Sequence, residues 1–404
     1  MKLITTLPIT LALLAISIAL AWYAVCSNRI AAKDLTFIAD HDSTALFAAA
    51  LLLKGNHAYY DQLNPGKAIQ YYRKAVSHQP LFIPAWLALA RTELAQGEAG
   101  KAGQVSNTLE DAISSVSTWK WQEMLLAYDL RDEEYFRSCF NFVLNRLPNR
   151  ISDACYLASQ FWGSYAAAIP QLTPANQSVY LDQLMKIREV DAAVSLFDSM
   201  QGSGNAIEQD TRLRFCQFLI NNDRLGEAKK VWRSSTGNAI PSVQNGSFEN
   251  EPMNQAFGWR LNNCREADVR CTSEAAFEGA GSLQIHFRGT NNVNFYHVSQ
   301  IVPVDPGASY TLRFAQKSRG LTTDQGVFVE VSGYRCKGLY AASTPATGTS
   351  PWIEEELSFQ VPSDCEAALI RVRRKESLKF DNKISGDYWL DAVRLVAFSR
   401  DTAE

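Results

Sequence analysis

In the last third of the chain, Phe295, His297, Arg313, Phe328 and Glu330 share one alternation parity across three strand-like runs expected to be neighbours. Side chains of a strand alternate between faces, so a shared parity places them on one side of a sheet. Rings, a guanidinium and a carboxylate on an open face suit a polyhydroxylated ligand. Rings stack on the apolar faces of pyranoses, and charged groups take paired hydrogen bonds from hydroxyls. Tyr334 and Tyr340, in the loop-rich stretch Ser332 to Ser350, form a second aromatic rim. Cover by a loop or by the upstream helices would instead leave the face a packing role. Glu354 and Glu356 share a parity, as do Arg371 and Arg373, and read as a cross-strand charge ladder on a solvated face.

Motifs for other chemistries are missing. There is no phosphate loop, no G-x-S-x-G, no H-E-x-x-H and no glycine-rich dinucleotide turn, and the five histidines have no ligand spacing. The expectation is a non-catalytic protein. A glycoside-processing enzyme is the enzymatic alternative, because paired carboxylates can meet from anywhere in a fold. A net charge of −3 over 404 residues provides no basic field for nucleic acid.

Eight cysteines divide into two groups. Cys139, Cys155 and Cys216 occupy apolar positions and read as buried thiols. Cys264, Cys271, Cys336 and Cys365 form an even set without a CxxC pair, which points away from zinc and toward two disulfides in an oxidising compartment. Proximity along the chain favours 264–271 and 336–365 among three connectivities.

The elements that must position these residues begin with an apolar segment. No charge occurs between Lys2 and Arg29, and Leu3 to Val25 is almost wholly apolar, enough to span a bilayer as a helix. Residues 1–28 read as a transmembrane anchor, with Trp22 and Tyr23 at the interface. The other readings are a signal cleaved after Ala21 and lipidation at Cys26. The positive-inside count does not settle orientation, but the cysteines favour a chain whose bulk is extracytoplasmic, in the periplasm or at the cell surface.

Residues 40–237 carry an internal repeat. Ala68, Ala102 and Phe136 are spaced by 34 residues, as are Pro80, Ser114 and Pro148, and Tyr72, Ser106 and Phe140 follow the first set by four. Ala193 with Phe197, and Ala228 with Trp232, add two units 35 residues apart, after an extra helix expected over Ser152 to Ala168 and a break at Pro170 to Pro174. With Trp86-x-x-Leu89-Ala90 upstream, the pattern resembles the tetratricopeptide repeat. That resemblance implies an α-solenoid of helical hairpins whose groove holds a protein partner. A plain helical spacer is the bland alternative, and Trp119-Lys120-Trp121 reads as core.

Residues 240–398 alternate with period two. Val302 and Val304 share a parity, Asp305-Pro306-Gly307 interrupts, and Tyr310, Leu312 and Phe314 resume, which predicts an antiparallel hairpin. Val327, Val329 and Val331 fit the same buried layer. Asn245-Gly246-Ser247-Phe248-Glu249, Gly258-Trp259, Gly281-Ser282-Leu283, Trp352, Phe359-x-Val361-Pro362 and Trp389-Leu390-Asp391 surround that run in order. Together they resemble the galactose-binding-like jelly roll, in particular carbohydrate-binding modules of families four and nine. The resemblance implies an antiparallel β-sandwich, inward packing of Trp259 and Trp389, and a structural calcium held by Glu249, Asp391 and carbonyls of Gly279 or Ser282. Ala392 stands where many relatives have a second Asp.

The composite expectation is an α-then-β, membrane-anchored accessory protein that binds a protein partner and a glycan in envelope or exopolysaccharide assembly. Its alternative is a pure protein-assembly scaffold without a sugar site.

Overall fold

The computed structural model describes residues 3–113, 117–203, 207–236, 243–380 and 382–397. Lys2, Ser114 and the expected boundary around Pro241 lie outside them. The chain forms two compact units, Met1–Ser199 and Met200–Glu404.

The first unit is helical: α1 Leu3–Ala31, α2 Leu35–Asp40, α3 Ala48–Tyr60, α4 Pro65–His78, α5 Ile83–Ala95, α6 Ala99–Ile113, α7 Ser117–Leu130, α8 Glu133–Arg146, α9 Ile151–Trp162, α10 Gln177–Ile187 and most of α11, Val190–Gly202. Within α1, Thr10–Ala31 is long and apolar enough to cross a membrane, as an anchor or a signal sequence would be. Its last turns enter the fold, where Cys26 and Ile30 bury against Ile38 and Ala50.

Local chemistry starts and stops the helices. Asn64 caps α4 by accepting from Lys67 N–H (3.0 Å), with Pro65 in the first turn. Asp132 caps α8 through Tyr135 N–H (3.1 Å). Gly163, at φ +92°, ends α9 earlier than expected, and Ala166–Gln171 is a 3-10 turn. Two of the three repeated sets face inward: Ala68, Ala102 and Phe136, and Tyr72, Ser106 and Phe140, are buried, whereas Pro80 and Pro148 are exposed. At Gly55 the helices come so close that a Cβ would lie 2.3 Å from the Tyr72 ring. That ring is fixed by its own hydroxyl, which donates to Asn56 Oδ1 (2.9 Å).

The second unit joins a helical hairpin, α12 (Gln209–Asn221) and α13 (Leu225–Thr236), to a β-sandwich of jelly-roll type. The strands are β1 Arg260–Leu261, β2 Ala267–Thr272, β3 Ser282–Arg288, β4 Phe295–Pro303, β5 Ser309–Leu321, β6 Phe328–Gly333, β7 Tyr340–Ala342, β8 Gly348–Gln360, β9 Ala367–Arg374 and β10 Ser385–Ala397. They form two antiparallel five-stranded sheets, a front sheet β1-β4-β9-β6-β7 and a back sheet β2-β3-β10-β5-β8.

Val302, Val304, Tyr310, Leu312, Phe314, Val327, Val329 and Val331 all lie in one core, as their parity predicts. The hairpin expected at 302–314 does not form. β4 pairs with β1 and β9, while β5 pairs with β10 and β8, so Asp305-Pro306-Gly307 carries the chain from one sheet to the other. Strands that face across a core show the same alternation as strands that pair. The expected charge ladder fails for the same reason, because β8 and β9 lie in different sheets. The 245–249 segment meets the last strand as the resemblance implies: Val393 N–H donates to Gly246 O (2.9 Å), and a Cβ at Gly246 would lie 1.9 Å from Val393 O.

Cys336 and Cys365 form a disulfide, whereas Cys264 and Cys271 are separate thiols, which corrects the second expected bridge. Cys271 faces Leu283 across the ladder, and Cys264 forms an isolated bridge with Ala267.

Two outcomes follow from this packing. Gly55→Ala will lower stability by about 1–3 kcal/mol in denaturant unfolding, because Tyr72 cannot yield without breaking its bond to Asn56. Mapping of unreduced peptides will recover 336–365 as a linked pair and Cys264 and Cys271 as alkylated thiols. Reduction will then cost about 3 kcal/mol, the scale for a loop of this length.

Candidate functional site

The front sheet turns its second parity outward in cross-strand rows. Ser299 on β4 faces Arg371 on β9, which faces Glu330 on β6, which faces Ala342 on β7. In the next row Arg373 faces Phe328, and Tyr296 and His297 lie beside them at a bulge in β4. Tyr340 faces Ser332 on the outer edge.

Glu330 is the centre of this face. It is buried, and its Oε1 lies 3.3 Å from Arg373 Nε and 3.7 Å from Arg371 Nη1. Neither approach has the alignment of a hydrogen bond, and Arg373 Nε is a buried donor with no hydrogen-bond partner. Arg373 Nη1 donates to Phe295 O (3.0 Å), and its guanidinium lies 5.7 Å from the Tyr296 ring centroid. Tyr296 stacks on His297, with centroids 4.8 Å apart. His297 Nδ1 is buried and unpartnered, and burial pulls the imidazole below its ordinary pKa against the opposing effect of Glu266. Lys375 covers the buried Phe328 ring at 5.8 Å. Tyr296 and Tyr340 remain open, at 52% and 60% exposure.

His297, Phe328 and Glu330 are therefore gathered as expected, while Tyr340, expected on a separate loop rim, stands on β7 at the edge of the same sheet. Phe295 is not among them: it is fully buried in the core, because the bulge between Phe295 and Val298 shifts the parity by one. Arg313 is also absent. It lies on the back sheet and pairs with Glu356 at 2.9 Å. Tyr334 lies at the far end of β6, under the guanidinium of Arg335 (5.3 Å). Sequence reasoning missed Tyr296, Arg371, Arg373 and Lys375. Their signal was the run Arg371-Val372-Arg373, whose parity puts both guanidiniums on one face once its partner strands are known.

The α12–α13 hairpin closes the other end of this face. Gln217 Oε1 accepts from Arg260 Nη2 (2.7 Å) and Ala256 N–H (2.8 Å). Lys229 Nζ donates to Val304 O (3.4 Å), and Arg335 pairs with Asp223 and donates to Asn221 O (3.3 Å). Trp232 packs edge-on to Phe257 at 5.7 Å.

The back sheet presents a separate polar cluster. Asp387 accepts from His286 Nδ1 (2.9 Å), Gln284 Nε2 (3.2 Å) and Arg319 Nη2 (2.8 Å). Burial raises its carboxyl, but the hydrogen bonds from Arg319 and His286 outweigh this and hold it below the usual range. Trp389 is buried on this face, between Lys317 (5.5 Å) and Arg319 (5.1 Å). Its place outside the core cluster corrects the inward packing that the resemblance implied, whereas Trp259 is a core residue.

The residues expected to hold calcium converge on one loop but do not suit the ion. Asp391 Oδ2 accepts from Phe277 N–H (2.8 Å) and Glu278 N–H (3.0 Å), and Oδ1 accepts from Ala392 N–H (2.6 Å). Glu249 Oε1 accepts from Ala280 N–H (2.8 Å) and Gly281 N–H (3.0 Å). Gly279 takes φ +68°, and a Cβ there would lie 2.2 Å from Glu249 Oε1. Ser282 is buried, with its hydroxyl donating to Ala275 O. Calcium needs six to eight oxygens, whereas three of the four oxygens of these carboxylates already accept amide protons. Among the described residues no group of three or more His, Cys, Asp or Glu is placed to hold a metal.

No protein-family model matches the chain, and no curated protein does. Solved structures similar to it include "Family 16 Carbohydrate Binding Module-2", at 20% identity and TM-score 0.27, covering 38% of this chain and 98% of that one. "CBM4 structure and function" is 16% identical at TM-score 0.28, covering 39% and 99%. "Structure of TmCBM61 in complex with beta-1,4-galactotriose at 1.4 A resolution" is 16% identical at TM-score 0.28, covering 39% and 97%.

A chelator will leave the melting temperature unchanged. Asp391→Ala, which orphans one buried and two part-buried amides, will cost about 2–3 kcal/mol. The Asp387 carboxyl lends stability that is complete above its unfolded pKa of about 3.9 and is lost as pH falls through its lower folded value. Asp387→Asn will therefore flatten the acid limb of a melting-temperature profile below about pH 4.

Proposed function

We propose that the sandwich is a non-catalytic carbohydrate-recognition module that binds a glycan chain across the open half of its front sheet. The observation that carries this reading is the pair of exposed rings, Tyr296 and Tyr340, flanking the centre made by His297, Glu330, Arg371 and Arg373. Two flat platforms beside directional donors and an acceptor match a pyranose chain, which offers apolar ring faces and equatorial hydroxyls in alternation. The α12–α13 hairpin bounds the platform at one end.

The helical unit has the roles implied by a tetratricopeptide-like solenoid on a membrane anchor. α1 holds the protein at a membrane with its bulk outside the cytoplasm, as the 336–365 disulfide supports. The groove lined by Asn56, Tyr59, Tyr60, Arg91, Trp119 and Asp129 receives a protein partner. The assembled activity is accessory, handling an envelope or exported polysaccharide next to a protein machine.

Affinity electrophoresis of the full chain in detergent against a panel of polysaccharides tests this. Retardation by at least one glycan is expected. Tyr296→Ala and Tyr340→Ala, both at exposed positions, will each weaken it about tenfold, near 1.4 kcal/mol. A panel without retardation, or tyrosine variants that bind as tightly as the parent, leaves the pure assembly scaffold as the better reading.

A further inference from the structure

On this face we infer that the ligand is an anionic glycan, one carrying carboxylates along its chain. The inference rests on the reading of the front sheet as a sugar platform and adds the charge of the sugar.

Charge balance carries the argument. Arg371 and Arg373 share one carboxylate, Glu330, so one positive charge of the trio is uncompensated by these partners. The side chains are 27%, 15% and 9% exposed, where water screens poorly. Lys375, directly after β9, adds another cation above Phe328. Besides Glu330, and among the described residues, Glu266 stands beside His297, held by Asn291 Nδ2 at 3.2 Å, and Glu376 and Asp324 stand beside Arg374 toward the rim. Asp324 is already occupied by Ser377 (2.6 Å) and Lys379 (3.4 Å). A neutral sugar would leave the surplus charge uncompensated, whereas a carboxylate supplies the missing acceptor.

Unspent hydrogen-bonding capacity points the same way. Arg373 Nε and His297 Nδ1 are both buried without a hydrogen-bond partner, on neighbouring strands of this one face. A guanidinium presents donors in a fixed fork that fits a carboxylate, which a lysine ammonium does not reproduce. Glu330 orients both guanidiniums from below, and the open Tyr296 and Tyr340 rings accept the sugar rings to either side.

The test measures binding of the full chain in detergent to oligogalacturonate and to a neutral galactan of the same length, by calorimetry at two salt concentrations. Oligogalacturonate is expected to bind at least tenfold more tightly, with the difference shrinking from 50 to 500 mM NaCl. Arg371→Gln and the exposed Lys375→Gln should each remove most of the preference, while Arg371→Lys restores only part of it. Thermal melts confirm that the variants fold, and the lysine variant keeps the test decisive if Arg371→Gln does not. Equal binding of both glycans overturns the anionic inference and leaves the sugar platform standing. Failure of both to bind, together with a negative wider panel, overturns the platform too. Equal binding to heparin, duplex DNA and phosphatidylglycerol vesicles would show a general polyanion surface and overturn the inference.

Discussion

The apolar layer between the two sheets governs what the second unit can show to solvent. Each strand commits one parity to that layer, from Val302 and Val329 on one side to Leu312 and Leu390 on the other. The opposite parity is then forced outward, whatever its chemistry. Burying this layer is the dominant favourable term, so polar groups on the outer faces must find partners within an arrangement already set. Asp387 meets that requirement through His286, Gln284 and Arg319, and Glu330 draws two arginines to within ion-pair distance. Both clusters are consequences of strand order, since their members come from strands far apart in sequence.

The two clusters differ in how completely they are satisfied. Asp387 accepts four hydrogen bonds, two of them from Arg319, whereas Glu330 is approached by two guanidiniums without an aligned bond. A closed network of the first kind supports the fold. An unfinished one, at a face with open rings, has capacity for a ligand. In the loop at 277–281 amide donors likewise hold both oxygens of Asp391 and Oε1 of Glu249.

Helix packing in the first unit follows the same economy at shorter range. Gly55 lets the Tyr72 ring lie against its helix, and Ala68 and Ala102 keep neighbouring helices close. Small residues at fixed spacing determine how near two helices come, and the large ones then fill the remaining gaps.

Much of this was legible in the amino-acid order alone. A 34-residue repeat and a period-two alternation divided the chain into helical and β parts, and parity identified the core valines, Tyr310, Leu312 and Phe314 because burial acts on each strand locally. Parity also brought out His297, Phe328 and Glu330. It could not tell pairing from facing, so the stretch at 302–314 proved to be a crossover, and Arg313 went to the other sheet. A one-residue bulge, invisible to a period-two count, sent Phe295 inward and Tyr296 outward. The junction of Arg371 and Arg373 with Glu330 joins β9 to β6, and only strand order decides that. Local alternation is written residue by residue, while the choice of neighbours depends on contacts across the whole sandwich.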